Sequence, residues 1–347
     1  MTASFFWVYL QSVTRIYHTM ELVIVPDSKT PRALPFYLSL EEWLARKYPG
    51  RDFFFMWQVE PTVIVGRHQL IEREVDTQFC HSRGIDLVRR KSGGGAVLAD
   101  MNNIMFSYIT SSSNVTTTFS EYTSMVARSL RLLGLDASDN SRNDILIGDR
   151  KVSGNSYYHI KGRSIVHGTM LYDFDPEMMA GALTPPAVKL QSHGVSSVRS
   201  RVTTIREQLP SLSMADFKAH ILRTIPDQDR SLILSPSDLA EVEEIEKTYR
   251  RPEWLTGQNP KGTLTLTQRI EGVGTISVCL TVTSGKIKEC SLSGDYLSTA
   301  ENISETIAER LLDTPYERTA LTASLASLEL SSLIPGLKNE DFIKLIC

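Results

Sequence analysis

Arg89-Arg90-Lys91-Ser92-Gly93-Gly94-Gly95-Ala96-Val97-Leu98-Ala99-Asp100 is the stretch around which the chain is organised. Three cations run into three glycines and then into a short apolar strand, so backbone N–H groups and side-chain charge can converge on one anionic ligand. A phosphate-bearing ligand is the first hypothesis. A surface turn flanked by solvated basic residues is the alternative, because a glycine-rich run alone discriminates little between the two.

Working outward, Asp86 to Arg89 climbs as a strand into the glycines, and Ala96 to Leu98 with Ile104 to Ile109 reads as a hairpin pair. The glycines then sit inside sheet rather than ahead of a helix. That excludes a dinucleotide fingerprint and a Walker loop, since both need a helix N-terminus directly after their glycines. Further upstream, Leu22 to Val25 reads as a strand, and Phe36, Leu40, Trp43 and Leu44 recur at helical spacing from Pro35 to Tyr48. Phe53 to Trp57 and Thr62 to Gly66 suit neighbouring buried strands joined at Glu60-Pro61, and a helix over Glu72 to Ser82 closes at Gly84.

Downstream, a helix over Phe119 to Leu133 ends at Gly134. Ile145-Leu146-Ile147 and Val152 form strands that turn at Gly148-Asp149, which carries Lys151 just past a hairpin tip. Arg163 to Leu171 is another buried strand, Ser196 to Val202 a basic loop, and Pro236 to Arg250 an acidic helix capped by Ser235 or Ser237 that bridges two domains. From Lys261, alternating strands (Thr263 to Thr267, Ile276 to Val282, Ile287 to Leu292) precede helices about Ile303 to Leu312 and Leu321 to Leu330. This is a small α+β module.

At 347 residues the chain suits two domains rather than one core. A formal charge of −3 supplies no global basic field, which argues against nucleic acid as the main partner and leaves the local basic run for a small anion. Cys80, Cys279, Cys290 and Cys347 show no CxxC spacing, so a reducing cytoplasm is the simpler reading. No run is long enough to span a bilayer, and residues 1–19 read as a leader outside the fold, ahead of a strand that starts beside Met20.

Three segments in order, Arg89 to Val97, Asn143-Asp144 with Gly148 to Gly154, and His167-Gly168-Thr169, resemble the lipoate–protein ligase A family of the biotin/lipoate ligase superfamily. The resemblance runs from about Met20 to the end. It includes Pro61 to Arg67, Ser196 to Val202, and a Trp254, Gly257, Asn259, Pro260 signature. It implies an α+β fold: a mixed-sheet catalytic domain with flanking helices over 20–235, a bridging helix and linker over 236–260, and an accessory domain over 261–347. The implied reaction joins lipoate and ATP into lipoyl-adenylate, releases pyrophosphate, and passes the lipoyl group to a lysine of a lipoyl domain. The implied acceptors are the E2 subunits of 2-oxoacid dehydrogenases and the glycine cleavage H protein.

Under this resemblance Lys151 is the catalytic cation that bridges the lipoate carboxylate and the α-phosphate. Arg90 pairs with phosphate, whereas Arg89 and Lys91, alternating with it on a strand, stay solvated. Gly93, Gly94 and Gly95 let the backbone approach the ligand; Ser92, Ala96, Val97, Leu98, Ser153 and Gly154 complete the nucleotide and acyl site. Asn143 and Asp144 either contact hydroxyls and a Mg²⁺ ion, with Asp144 as its ligand, or cap a turn. His167 either touches the acyl pocket or is a hydrogen-bonded core histidine with no proton-transfer partner nearby, and Gly168 admits the dithiolane chain. Val63, Val65, Phe106 and Met170 line the acyl slot or are plain core.

The sequence departs from the family pattern after the glycines, with Ala99-Asp100 for the usual His-Asp and Asn102-Asn103 for Gly-Asn. Rival readings are an octanoyl or lipoyl transferase, which needs an activated cysteine near the acyl carboxyl, and a non-catalytic lipoate-binding or lipoyl-domain-binding protein. Biotin ligases share the fold, but their Gly-Arg-Gly-Arg type loop is missing.

Overall fold

The computed structural model describes residues 20–26, 32–112, 114–139, 143–183, 202–256 and 262–347. The leader, most of the Ser196–Val202 loop and the Gly257, Asn259 and Pro260 positions lie outside the described residues.

Among the described residues eleven strands build the larger unit: β1 (Met20–Ile24), β2 (Asp52–Trp57), β3 (Thr62–Val65), β4 (Asp86–Arg89), β5 (Val97–Ala99), β6 (Asn103–Thr110), β7 (Ala137–Ser138), β8 (Asp144–Ile147), β9 (Arg150–Ile160), β10 (Arg163–Leu171) and β11 (Ser231–Ile233). Eight of them form one mixed sheet in the order β11-β1-β2-β6-β10-β9-β8-β7. Helices cover both faces, which is why β2 reads as an unbroken apolar run, Asp-Phe-Phe-Phe-Met-Trp. Phe53 and Phe55 pack under α1 (Leu34–Lys47), and Phe54 packs on the opposite side under α2 (Val115–Arg131) and α3 (Met214–Thr224).

The acidic helix α4 (Pro236–Tyr249) starts at a Ser235–Asp238 capping box. It runs along α1 instead of spanning between domains: Trp43 Nε1 donates to Glu241 at 2.8 Å and Lys47 reaches Asp238 at 3.0 Å. Its Val242 and Tyr249 complete the core beneath α1.

A second sheet, β4-β3-β5, carries the glycine loop. β3 runs parallel to β4 (Ile64 opposite Val88) and antiparallel to β5 (Val63 opposite Leu98). Two sequence expectations change here. β2 and β3 are not neighbours, and β5 does not pair with β6, because the chain crosses between sheets at both junctions. At the second crossing Asp100 accepts from the Asn102 backbone N–H at 2.8 Å and from Asn103 Nδ2 at 2.9 Å, folding the turn on itself. The glycines therefore form the loop between β4 and β5 rather than lying within a strand. The single helix expected over Glu72 to Ser82 is two short ones, Ile71–Glu74 and Thr77–Arg83; Asp76 caps the second and Gly84, at φ +65°, ends it.

The C-terminal unit is the expected strands-then-helices module: β12 (Leu264–Ile270), β13 (Gly274–Thr283) and β14 (Lys286–Gly294) under α5 (Ile303–Leu311), α6 (Arg318–Leu325) and α7 (Asn339–Ile346). It rests on the glycine loop. The Gly294 N–H donates to the His68 carbonyl at 2.8 Å, and the Gly94 N–H donates to the Tyr296 carbonyl at 3.0 Å. The His68 and Tyr296 rings stack with centroids 4.6 Å apart, and Leu297 is buried in the core of the larger unit.

Candidate active site

A cavity of about 170 Å³ opens where the glycine loop meets the central strands β9 and β10. Of the sequence-derived candidates, Arg90, Gly94, Gly95, Ala96, Val97, Asn143, Lys151, Gly154, His167 and Gly168 line it. Lys151, second residue of β9, comes from the β8–β9 hairpin, which turns at Gly148-Asp149. Its Nζ lies 2.7 Å from Asp144 Oδ1, and its side chain stays about a third exposed (36%). The ammonium thus faces both one carboxylate and the cavity. Space for it depends on Gly154, where an added Cβ would sit 2.7 Å from Lys151 Nζ.

Arg90 lines the cavity while its hydrogen bonds run into the glycine loop. Its guanidinium is buried: Nε donates to Ser92 Oγ, Nη1 to the Ile64 carbonyl, and Nη2 to the Gly93 and Gly95 carbonyls, at 2.6 to 3.1 Å. Burial, with a smaller push from Arg89, lowers its pKa to about 10, so it stays cationic at neutral pH while shaping the glycine loop from inside. Arg89 and Lys91 are not solvated. Arg89 is 2% exposed and clamps the carbonyls of Gly66, Arg67, Gln69 and Leu255. Lys91 pairs with buried Glu42 at 2.7 Å.

The remaining candidates are near the cavity without lining it. Gly93 packs against the Tyr296 carbonyl, Leu98 faces the small core behind β3, and Ser153 donates to Asn155 Oδ1 at 3.1 Å. At Gly168, which lines the cavity, an added Cβ would fall 1.8 Å from Asn155 Oδ1, so the missing side chain makes room for that asparagine. Ser92 and His167 are joined, Oγ to Nε2, at 2.6 Å, and His167 Nδ1 is 3.0 Å from both carboxylate oxygens of Glu41. The histidine thus has the acidic partner that the sequence did not show, delivered by α1 from 126 residues away.

The apolar wall consists of Leu38, Trp57, Ile64, Val97 and Met105. Val63, Val65, Phe106 and Met170 are core, the second of the two readings open for them. Thr169, which also lines the cavity, falls inside a segment the sequence singled out, and Asn155 and Ser156, lining it too, directly follow another. Among the described residues no cluster of three or more His, Cys, Asp or Glu could hold a metal unaided. Asp144 offers one carboxylate, which suits a Mg²⁺ ion that takes its other ligands from phosphate oxygens and water.

None of the four cysteines lines the cavity. Cys80 and Cys279 are buried, and burial pushes the Cys290 thiol up to about 12, the opposite of nucleophile activation. Among the described residues no helix is long and apolar enough to cross a membrane.

The family profile of the lipoyl protein ligase A/B catalytic domain matches residues 34–226, and that of the bacterial lipoate protein ligase C-terminus matches residues 259–346. The lipoate-protein ligase LplJ of Bacillus subtilis is 33% identical over 318 residues, covering 89% of this chain and 95% of its own. Two solved structures share the fold of the larger unit. One is the bipartite lipoate protein ligase of Thermoplasma acidophilum with its E2 lipoyl domain (TM-score 0.61, 27% identity, 72% of this chain and 100% of that one). The other is a lipoate-protein ligase A bound with ATP (TM-score 0.59, 26% identity, 69% of this chain and 99% of that one). With both halves matched and the cavity assembled from the same motifs, the chain belongs to the lipoate–protein ligase family.

Proposed function

We propose that this cavity carries out the family's reaction, ATP-dependent activation of lipoate followed by lipoyl transfer to a lysine of a lipoyl domain. Lipoate lies along the Trp57–Ile64–Met105 wall with its carboxylate towards Lys151. The carboxylate oxygen attacks the α-phosphorus, a P–O bond forms, and the bond to pyrophosphate breaks. Negative charge grows on the phosphate oxygens, where the Lys151 ammonium and the N–H groups around Gly95 stabilise it. In the second step the acceptor lysine amine attacks the carbonyl of the mixed anhydride and AMP leaves.

In this reading Asp144 holds Lys151 through their ion pair and is the carboxylate that would help to hold a Mg²⁺ ion, which would supply charge neutralisation at the phosphates. Arg90 fixes the loop instead of gripping phosphate. Residues 20–256 form the catalytic unit and 262–347 the accessory unit. The acceptor class is a lipoyl domain, supported by the Thermoplasma ligase solved with its E2 lipoyl domain. E2 subunits of 2-oxoacid dehydrogenases and glycine cleavage H protein are the specific acceptors to assay.

The observation that carries the proposal is the convergence of Lys151 and the glycine loop on one cavity whose far wall is apolar. Lipoate-dependent exchange of pyrophosphate into ATP tests it. Acyl transfer from an acyl thioester without ATP would instead sustain the transferase reading.

A further inference from the structure

Beneath the glycine loop runs a chain of buried polar groups that the reaction as proposed does not use. Glu41, on α1, is fully buried (0% exposed), and the groups around it are donors. Ser107 Oγ donates to Oε1 at 2.6 Å, and the Tyr158 hydroxyl approaches Oε2 at 3.5 Å. Trp57 Nε1 donates to Ser107 Oγ at 2.9 Å, so the single Ser107 hydrogen goes to Glu41. The carboxylate can only accept, and the His167 Nδ1 that sits 3.0 Å from both its oxygens must therefore carry a proton.

The opposite ring nitrogen completes the assignment. His167 Nε2 is 2.6 Å from Ser92 Oγ, which already accepts from Arg90 Nε at 2.9 Å. The Ser92 hydrogen then points at Nε2, and every atom in the chain is satisfied. A proton on Nε2 would make Ser92 Oγ accept twice and leave its own hydrogen without an acceptor among the described contacts. Arg90 passes the constraint onward, its Nη2 holding the Gly93 and Gly95 carbonyls.

We infer that Glu41 is a positioning residue: it fixes His167 as the Nδ1–H tautomer, and through Ser92 and Arg90 sets the conformation of the glycine loop. The distances are those of an acid–histidine–serine hydrolytic triad, but Ser92 is 0% exposed, does not line the cavity, and has a lone pair engaged by a guanidinium. It serves as a strut, not a nucleophile. The inference deepens the ligase reading proposed above and rests on it for the kinetic part only.

The test uses the full chain with ¹⁵N-labelled histidine, the His167 signals being assigned by their loss in His167→Gln. Wild type is expected to show Nδ1–H and an unprotonated Nε2. Glu41→Gln places an amide N–H against Nδ1 and is expected to move the proton to Nε2. Pyrophosphate-exchange kcat then falls about ten- to a hundredfold, the range seen when the group orienting a functional imidazole is lost. The lipoate KM stays within about threefold, because the substitution removes no residue of the apolar wall. Glu41→Asp restores the tautomer and part of the rate. If Glu41→Gln fails to fold, Ser92→Ala is read in the same way, with Nδ1–H retained and kcat reduced. A wild-type Nε2–H tautomer, a Glu41→Gln enzyme with wild-type kcat, or labelling of Ser92 by a fluorophosphonate would each overturn the inference. Wild-type protein with the assigned tautomer but no exchange would sink the ligase reading and leave the tautomer standing.

Discussion

Lys151 Nζ and Asp144 Oδ1 face each other at 2.7 Å across the β8–β9 hairpin, and Lys151 lines the cavity. In the proposed reaction this ammonium is the cation that meets charge developing on the α-phosphate. Lys151→Ala is expected to lower lipoate-dependent pyrophosphate exchange by about a hundred- to a thousandfold. Because the side chain is about a third exposed (36%), unfolding free energy should move by about 1 kcal/mol or less. Activity at wild-type level would remove Lys151 from the mechanism.

Gly154 offers a subtler route to the same loss. Its absent Cβ would lie 2.7 Å from Lys151 Nζ and 2.8 Å from Cε, so Gly154→Ala displaces the ammonium without deleting it. Exchange should drop about tenfold or more for a shift on the order of 1 Å. Denaturation should show little change, since the obstructed atoms are the end of a flexible chain. Equal losses of stability and rate would point to a backbone effect instead.

Arg89 tests the glycine-loop frame. Its guanidinium holds four carbonyls, three from the loop after β3 and one from Leu255 ahead of the accessory unit. Arg89→Ala leaves these acceptors in a buried site, with an expected cost of about 3 kcal/mol or more in urea unfolding. A solvated arginine would cost about 0.5 kcal/mol or less on the same measurement.

That contrast shows where the sequence was legible. Strands and helices with strong periodicity were placed: β4, the β8–β9 hairpin, β10, and the strands-then-helices module. Pairing between distant strands was not, because nothing local tells β3 that its partners are β4 and β5 rather than β2. For the apolar wall two readings stayed open, and two of the residues that line the cavity are sequence neighbours of those named. Val63 and Val65 flank Ile64, and Phe106 follows Met105; with both faces of each strand apolar, alternation could not say which face meets the cavity. The basic run misled for a similar reason. Arg89 and Lys91 do point away from Arg90, but that side is filled by Leu255, Trp254 and Glu42, which arrive from far along the chain. Glu41 carries no local signal as the partner of His167, since α1 alone reads as an ordinary amphipathic helix.

The contact between the two units carries a pH dependence. Burial, with Arg67 and Arg89 nearby, lowers the His68 pKa from 6.5 to about 3. The folded form binds the proton more weakly than the unfolded chain, so His68's contribution is complete above pH 6.5 and is lost as pH falls from 6.5 towards 3. Across that window wild-type unfolding free energy should fall more steeply than that of His68→Asn, by about 1.4 kcal/mol per pH unit. Parallel slopes for the two proteins would show that His68 titrates normally.

The same contact bears on access to the glycine loop. The Tyr296 carbonyl takes the Gly94 N–H at 3.0 Å, and Leu297 is anchored in the core of the larger unit. A ligand that needs this N–H has to displace Tyr296, and burial of Leu297 opposes the displacement. Replacing the leucine with a charged residue makes the docked arrangement costly, because an aspartate cannot stay ionised there without a partner. Leu297→Asp is therefore expected to increase the radius of gyration in small-angle scattering without ligands, relative to wild type. It should also weaken the coupling of His68 to pH, since the stacked Tyr296 leaves with Leu297. Scattering curves that superpose for the two proteins in the absence of ligand would show that the contact is not what holds the accessory unit on the loop.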